Sequence, residues 1–271
     1  MSSHKDIRRT TVTRLHTMKA EGEKIACLTA YDASFARVLD AAGMDVILVG
    51  DSLGMVVQGH DTTVPVTVDD VLYHTRSVAR GCTRALLMAD MPFMSYPTSE
   101  AALHNAARFL QEGGAQMVKL EGGAAQIETV RRLSENGIPV CAHLGLKPQS
   151  IHKLGAYRVQ GRDAAAADAM VKEAQGLVEA GADLLLLECV PTRLANRIRD
   201  AVPIPVIGIG AGAGCDGQIL VLHDVLGLTP GAQMPRFAKD FLAGKDSIRG
   251  AIEDYVAQVK NGRFPAPEHG F

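Results

Sequence analysis

Tryptophan is absent, and aromatic side chains make up only 4% of the 271 residues. That argues against a protein that stacks the bases of a single strand, or sugar rings, on aromatic platforms. Neither sign of charge dominates. The chain has 28 Lys and Arg against 30 Asp and Glu, a formal net charge of -2, so no overall basic field draws in nucleic acid or an anionic membrane. No apolar run approaches the ~18 residues of a spanning helix. The five cysteines (Cys27, Cys82, Cys141, Cys189 and Cys215) contain no C-x-x-C pair. Their odd number fits a reduced compartment better than a disulfide framework. The opening "MSSHKDIRRTTVTRLHTMKAEG" is basic and rich in Ser/Thr but has no apolar h-region. A transit peptide would share that character, yet the first strand follows within a few residues, and a short helix opening the fold is the simpler reading. The expectation is a cytoplasmic protein with neither a nucleic-acid nor a membrane partner.

Apolar residues make up 47% of the chain, enough for a sizeable core. Eight apolar runs read as strands: "IACLTAY" from Ile25, "DVILVGD" from Asp45, "RALLMAD" from Arg84, "QMVKLEG" from Gln116, "PVCAHLG" from Pro139, "DLLLLEC" from Asp183, "PVIGIGAG" from Pro205 and "QILVLHD" from Gln218. They lack the alternation of a half-exposed sheet and read as parallel strands buried on both faces. Helical periods lie between them, as at Phe35, Val38, Leu39 and Ala42. The joins repeat a helix end, a Gly and a strand, with Gly43, Gly113, Gly137 and Gly181 as candidate left-handed caps. "TVDD" at Thr67–Asp70 reads as a capping box. Eight β-then-α units without a break in composition predict a (β/α)8 TIM barrel; an open doubly wound sheet is the rival. The whole chain, 1–271, reads as one barrel domain with a short N-terminal helix. After the last strand come a loop-like "GLTPGAQMPRFAKDF", a closing helix and a Pro-rich tail.

In either architecture the site lies beyond the carboxyl ends of the strands. Those ends carry Tyr31 and Asp32, Asp51, Asp90, Lys119 and Glu121, His143, Glu188, and His223 and Asp224. Lys119 and Glu121 are two apart and share a face. Asp51 shares parity with Ile47 and Val49, and Asp90 with Leu86 and Met88. A single Asp at a strand end is often the cap of the next helix. Four acidic residues from different strands are harder to explain in that way, because converging charges must be neutralised. Carboxylates on a rigid rim, without Cys/His spacing, suit a hard cation such as Mg²⁺ and not zinc. Lys119 offers a positive charge to an anionic substrate. His143 reads equally well as structural or catalytic, and His74 and His104 read as surface residues on helices. "GAGCDG" at Gly212–Gly217 matches G-x-G-x-x-G, but a strand follows it where a helix should, so it reads as a glycine-rich barrel loop.

The segment "TAYDASFARVLDAAGMDVILVGDSLGMVVQGHDTTVPVTVDDVLYHTRSVARG" resembles the ketopantoate (3-methyl-2-oxobutanoate) hydroxymethyltransferase family. "LLMADMPFMSY", "MVKLEGG", "PVCAHLGLKPQS", "LLLLECVP", "PVIGIGAG" and "DGQILVLHDVLGL" continue the resemblance in order over almost the whole chain. "VGDSLGMVVQGHDTT" and "HLGLKPQS" are its most specific motifs. The chain departs from the pattern after "GIGAG", where its residues are smaller than the resemblance leads one to expect.

The resemblance implies a barrel of the phosphoenolpyruvate/pyruvate-type superfamily, assembled as a homodecamer. It implies Mg²⁺-dependent transfer of a one-carbon unit from 5,10-methylenetetrahydrofolate to 3-methyl-2-oxobutanoate, giving 2-dehydropantoate on the route to pantothenate and coenzyme A. It assigns Asp51, Asp90 and Glu121 to the metal, Asp51, Ser52, Asp90 and Lys119 to the 2-oxo acid, and Glu188 to catalysis as the base. Glu188 ends a run of leucines, and such burial raises a carboxyl pKa; Asp51 and Asp90, beside a cation, would have theirs lowered. The alternative is another Mg²⁺-dependent 2-oxo acid C–C lyase or aldolase on the same barrel. Such relatives often carry a loop cysteine after strand four, where this chain has "KLEGGAAQIE". A non-enzymatic scaffold would have no use for the acidic rim.

Overall fold

In the computed structural model, which describes residues 9–229 and 234–271, eight parallel strands close on themselves in sequence order, and β8 pairs with β1. The chain begins with helix α1 (Val12–Glu21), capped by the Thr11 side chain, and residues 1–8 of the opening segment lie outside the described residues. Then follow β1 (Ile25–Thr29), α2 (Ala33–Ala41), β2 (Val46–Val49), the short α3 (Leu53–Val56), α4 (Val68–Ala79), β3 (Leu86–Asp90) and α5 (Ser99–Gln111). The middle of the ring is β4 (Met117–Glu121), α6 (Ile127–Glu135), β5 (Val140–Gly145), α7 (Ile151–Leu154), α8 (Ala164–Glu179), β6 (Leu184–Glu188) and α9 (Thr192–Ala201). It closes with β7 (Val206–Ile209), β8 (Gly217–Leu220), α10 (Leu222–Val225) and α11 (Ile248–Lys260).

All eight apolar runs become strands, and nearly every strand residue is buried. A strand whose one face packs into the barrel and whose other packs under helices has no solvent-facing positions, so its sequence does not alternate. The capping box at Thr67 and Asp70 is present. Gly43, Gly137 and Gly181 take positive φ after their helices. After α5 that role falls to Gly114 and not Gly113, because the helix runs one residue further before it turns.

Two further expectations need correction. Six of the seven connections between successive strands carry a helix, since the glycine-dense run from Gly208 to Gly217 joins β7 to β8 with no helix between. And β8 ends at Leu220, so His223 and Asp224 sit on α10, one turn past the strand.

Closure of the ring is tight. A Cβ at Gly217 would lie 2.4 Å from the Ile25 carbonyl oxygen, so only glycine lets β8 approach β1. The Tyr255 hydroxyl of α11 reaches the carbonyl oxygens of Cys27 on β1 and Gln218 on β8, at 2.7 and 3.2 Å. Phe241, Tyr255 and Phe264 pack edge to face beneath it, with centroids 5.3–5.9 Å apart. At the opposite mouth, α1 covers the strand N-termini: His16 bonds the Asp183 carbonyl, and Lys19 bonds that of Ile204 and pairs with Asp216 at 3.0 Å. That leaves the C-terminal mouth open.

Candidate active site

Strand ends carry the charged residues to that mouth. Asp90 closes β3, Lys119 and Glu121 lie on β4, His143 on β5, and Glu188 closes β6. Asp51 and Ser52 follow β2 across Gly50. All of them line one cavity of about 1070 Å³. The register makes neighbours of residues distant in sequence, aligning Asp90 with Lys119, Glu121 with His143, and Gly145 with Glu188.

Lys119 donates to both carboxylate oxygens of Asp90, at 2.7 and 2.8 Å, and its ammonium lies 4.0 Å from Glu121. The Asp51 amide donates to Asp90 Oδ2 at 3.2 Å. Gln149 binds this group from above: its side-chain amide donates to Asp51 Oδ2 and to the Met91 carbonyl, both at 2.9 Å, and its backbone N–H donates to Glu121 Oε2 at 3.2 Å. Tyr96 donates in turn to the Gln149 side-chain oxygen at 2.5 Å. His143 stands between two carboxylates, with Nδ1 3.5 Å from Glu121 and Nε2 3.4 Å from Glu188. Neither ring nitrogen, nor Glu121 Oε1, has a hydrogen-bond partner among the described residues. Tyr31 and Ser52 share a hydroxyl–hydroxyl bond of 2.8 Å at the edge of the group.

Four carboxylates thus face one ammonium. Burial and the neighbouring Glu121 charge raise Glu188 to about 8. Its side chain keeps 15% exposure, and that opening faces the cavity. Burial also raises Glu121 to about 7, against the pull of Lys119. Asp51 is pushed well above the usual carboxylate range by burial and by the Asp90 charge. Lys119 pulls Asp51 the other way but is outweighed; the lowering expected beside a bound cation concerns the metal-loaded site. Burial opposes charge on Lys119, yet Asp90, Glu121 and Asp51 overcome it and hold the ammonium protonated. Burial, reinforced by Lys119, keeps His143 neutral.

Glu188 is fixed through its backbone. Its carbonyl accepts from the Leu146 N–H at 2.8 Å, and the next N–H, of Cys189, donates to the Ile209 carbonyl at 2.9 Å. Cys189 has φ 48°, a left-handed conformation that costs a non-glycine residue about 1–3 kcal/mol. Gly145, aligned with Glu188, has φ 97°, and a Cβ there would meet the Glu188 carbonyl oxygen at 2.1 Å.

Other strand-end residues fall outside the charged group. Asp32 caps α2 through bonds from the Ser34 and Phe35 amides, the role that a lone Asp often takes. Asp51, Asp90 and Glu188 make no such cap. Asp224 lines the cavity and accepts from Thr229. His104 is exposed, but His74 is half-buried and bonds the Tyr31 carbonyl at 2.7 Å, so it is more than a surface residue. Parity misplaces Asp51: on β2 it is Leu48 that lines the cavity, and the turn at Gly50 brings Asp51 round to join it. Gln149 and Tyr96, which hold the carboxylates apart, were missed. Gln149 lies within the distinctive "HLGLKPQS" run, which is the one signal that could have found it.

Among the described residues, no three His, Cys, Asp or Glu side chains are grouped as ligands of a single ion. The donor set is oxygen-only at Asp51 and Glu121, and Glu121 Oε1 is a buried oxygen left without a partner. Those features fit a hard cation that binds carboxylates directly or through its waters and completes its shell with substrate oxygens, as Mg²⁺ does, and not a closed protein cage.

The sequence profile of ketopantoate hydroxymethyltransferase matches residues 9–267. The chain is 62% identical over 261 residues to 3-methyl-2-oxobutanoate hydroxymethyltransferase of Halorhodospira halophila, covering 96% of this chain and 94% of that one. It is 64% identical, with the same coverage, to the protein of that name from Alkalilimnicola ehrlichii. Among solved structures it is similar to a putative phosphonomutase from Burkholderia cenocepacia, with a TM-score of 0.62, 18% identity, and 80% and 95% of the two chains covered. A 2,3-dimethylmalate lyase of the PEP mutase/isocitrate lyase superfamily gives a TM-score of 0.59 at 17% identity, covering 82% and 81%. These two likenesses bear on the barrel fold alone.

Proposed function

The chain belongs to the ketopantoate hydroxymethyltransferase family, and on that premise we propose that it carries a one-carbon unit from 5,10-methylenetetrahydrofolate to 3-methyl-2-oxobutanoate. The products are 2-dehydropantoate and tetrahydrofolate, with one water consumed to supply the new hydroxyl. One Mg²⁺ per subunit, held by Asp51, Asp90 and Glu121, would polarise the 2-oxo carbonyl and stabilise the enolate. Ser52 and Lys119 bind the oxo acid beside it, and Asp51 and Asp90 complete that pocket. Assembly as a homodecamer and a cytoplasmic place in coenzyme A biosynthesis belong to the same reading.

Glu188 is the base. It removes the hydrogen on C3 as a proton and leaves the electron pair on the enolate, whose C3 forms the new C–C bond to the donor's one-carbon unit. The observation that carries this assignment is a carboxylate in the cavity wall whose pKa is raised to about 8, where a base working near neutral pH is best placed. His143, neutral and between Glu188 and Glu121, packs beside the base without adding charge. Lys119 is held protonated by Asp90, so it serves as a fixed positive charge for the substrate carboxylate and not as a competing base.

The test is proton exchange without folate. The protein, Mg²⁺ and 3-methyl-2-oxobutanoate are incubated in D₂O, and the C3 proton is followed by NMR. Metal-dependent exchange is expected, with a loss of about 10²- to 10⁴-fold in Glu188→Gln. Absence of exchange in the wild type, with or without folate, would rule out enolisation.

A further inference from the structure

The cavity is acidic at its floor and basic at its rim. Arg158 and Arg162 both line it, both are exposed, and among the described residues neither forms a salt bridge. They stand on the segment between α7 and α8, which is not a loose loop. The Gln160 N–H donates to the Cys189 carbonyl at 2.9 Å, one residue past Glu188, and the Gln160 side chain donates to the Arg158 carbonyl. Gly161 packs so closely on Leu194 that a Cβ would approach it to 2.4 Å. The backbone that carries the two guanidinium groups is therefore tied to the end of β6 beside Glu188. Tyr157, next to Arg158, also lines the cavity with half its surface exposed, which leaves part of its ring free to contact a ligand.

The small oxo acid does not account for this rim. Its carboxylate is served at the floor by Lys119, and a cavity of about 1070 Å³ is of the size that encloses a drug-sized ligand, not five carbons alone. Unpaired guanidinium groups at a pocket mouth are matched by carboxylates, which they grip through forked hydrogen bonds. A half-exposed aromatic face is matched by a flat ring.

We propose that Arg158 and Arg162 bind the glutamyl carboxylates of the one-carbon donor while Tyr157 stacks against its aromatic part. The inference rests on the folate reading above and assigns its recognition residues. The arrangement separates charge usefully: the anionic tail is drawn to the rim and kept from the floor, where four carboxylates would repel it, so the one-carbon end points inward toward Glu188.

Binding of tetrahydrofolate, titrated by its fluorescence, provides the test. The double variant Arg158→Gln/Arg162→Gln is compared with the wild type and with tetrahydropteroate, which lacks the glutamate. The wild type is expected to bind tetrahydrofolate about 10- to 100-fold more tightly than tetrahydropteroate, and the double variant to lose that preference. Tyr157→Ala is expected to weaken both ligands. Melting temperatures within 2 °C of the wild type, roughly the accuracy with which surface substitutions leave stability unchanged, establish that the variants are folded. Failure of the wild type to bind tetrahydrofolate at all would overturn the folate reading and this inference with it. Wild-type binding that the double variant retains, with the glutamate preference intact, would overturn the inference alone.

Discussion

Gly145→Ala separates the position of Glu188 from the stability of the barrel. The added Cβ would sit 2.1 Å from the Glu188 carbonyl oxygen and 2.9 Å from Val190 Cγ1. Carbon–oxygen contacts below 3.0 Å are essentially never seen, so the β6 terminus must withdraw by about 0.9 Å. A displacement near 1 Å at a reacting group costs about 10²-fold in rate. The variant also carries a conformational cost, because φ 97° is poor for alanine, at roughly 1–2 kcal/mol. In a chain of this size that lowers the melting temperature by about 2–8 °C. Gly43→Ala is the control. Its φ of 88° imposes a similar strain, but nothing lies within 4 Å of the added carbon and it is at a helix end far from the cavity. C3–H exchange and calorimetry are measured on both. The expected result is a loss of melting temperature in both, larger in Gly145→Ala because only there must the backbone shift, with exchange slowed about 10²-fold only in Gly145→Ala. Equal exchange rates in both variants would refute the argument that Gly145 fixes the base.

Stability should depend on pH through the buried carboxyls. Glu188 and Glu121 are raised in the folded state, to about 8 and about 7 from 4.5. The native protein therefore binds more protons than the unfolded chain between these values, and stability falls as pH rises from about 4.5 to about 8. Added Mg²⁺ should restore more melting temperature at pH 8 than at pH 6, because binding needs the ionised carboxylates. Melts at both pH values check the sign, and an equal Mg²⁺ effect would count against the site. Tyr255→Phe should cost about 1–3 kcal/mol, since it leaves the buried carbonyls of Cys27 and Gln218 short of a donor. Denaturant unfolding measures that loss. Exchange at the oxo acid's C3, followed as rate against pH, should rise with the ionisation of Glu188 and level off above about pH 8; a flat profile would contradict a raised pKa.

The strands were legible because a strand buried on both faces writes an unbroken apolar run, and the count of eight favoured a ring over an open doubly wound sheet, which the same runs also allow. Glu188 was legible for the same reason, as the charge that interrupts leucine. Residues whose role depends on register were not. Gln149 reaches Asp51 across 98 residues of sequence, and nothing local marks a glutamine in a loop for that contact. Gly145 looks like any strand-end glycine until β6 is aligned beside it. Asp51 defeated parity because the strand's hydrogen bonding stops two residues before it, and alternation holds only within the ladder. His223 and Asp224 were assigned to β8 because "QILVLHD" gives no sign in composition that the strand stops at Leu220.

The seam between β1 and β8 has a temporal meaning as well as a spatial one. Its paired residues, such as Ile25 with Gly217, lie 192 positions apart, the widest separation between paired strands of the ring. Loop closure of that kind comes late, because its entropy must be lost before its contacts are gained. Until it happens the ring is an open, curved sheet with two free edges, and the carboxylates at its mouth remain hydrated on one side. Burial of the charged group therefore depends on completion of the circle. The interior that raises Glu188 comes into being only when the first strand meets the last.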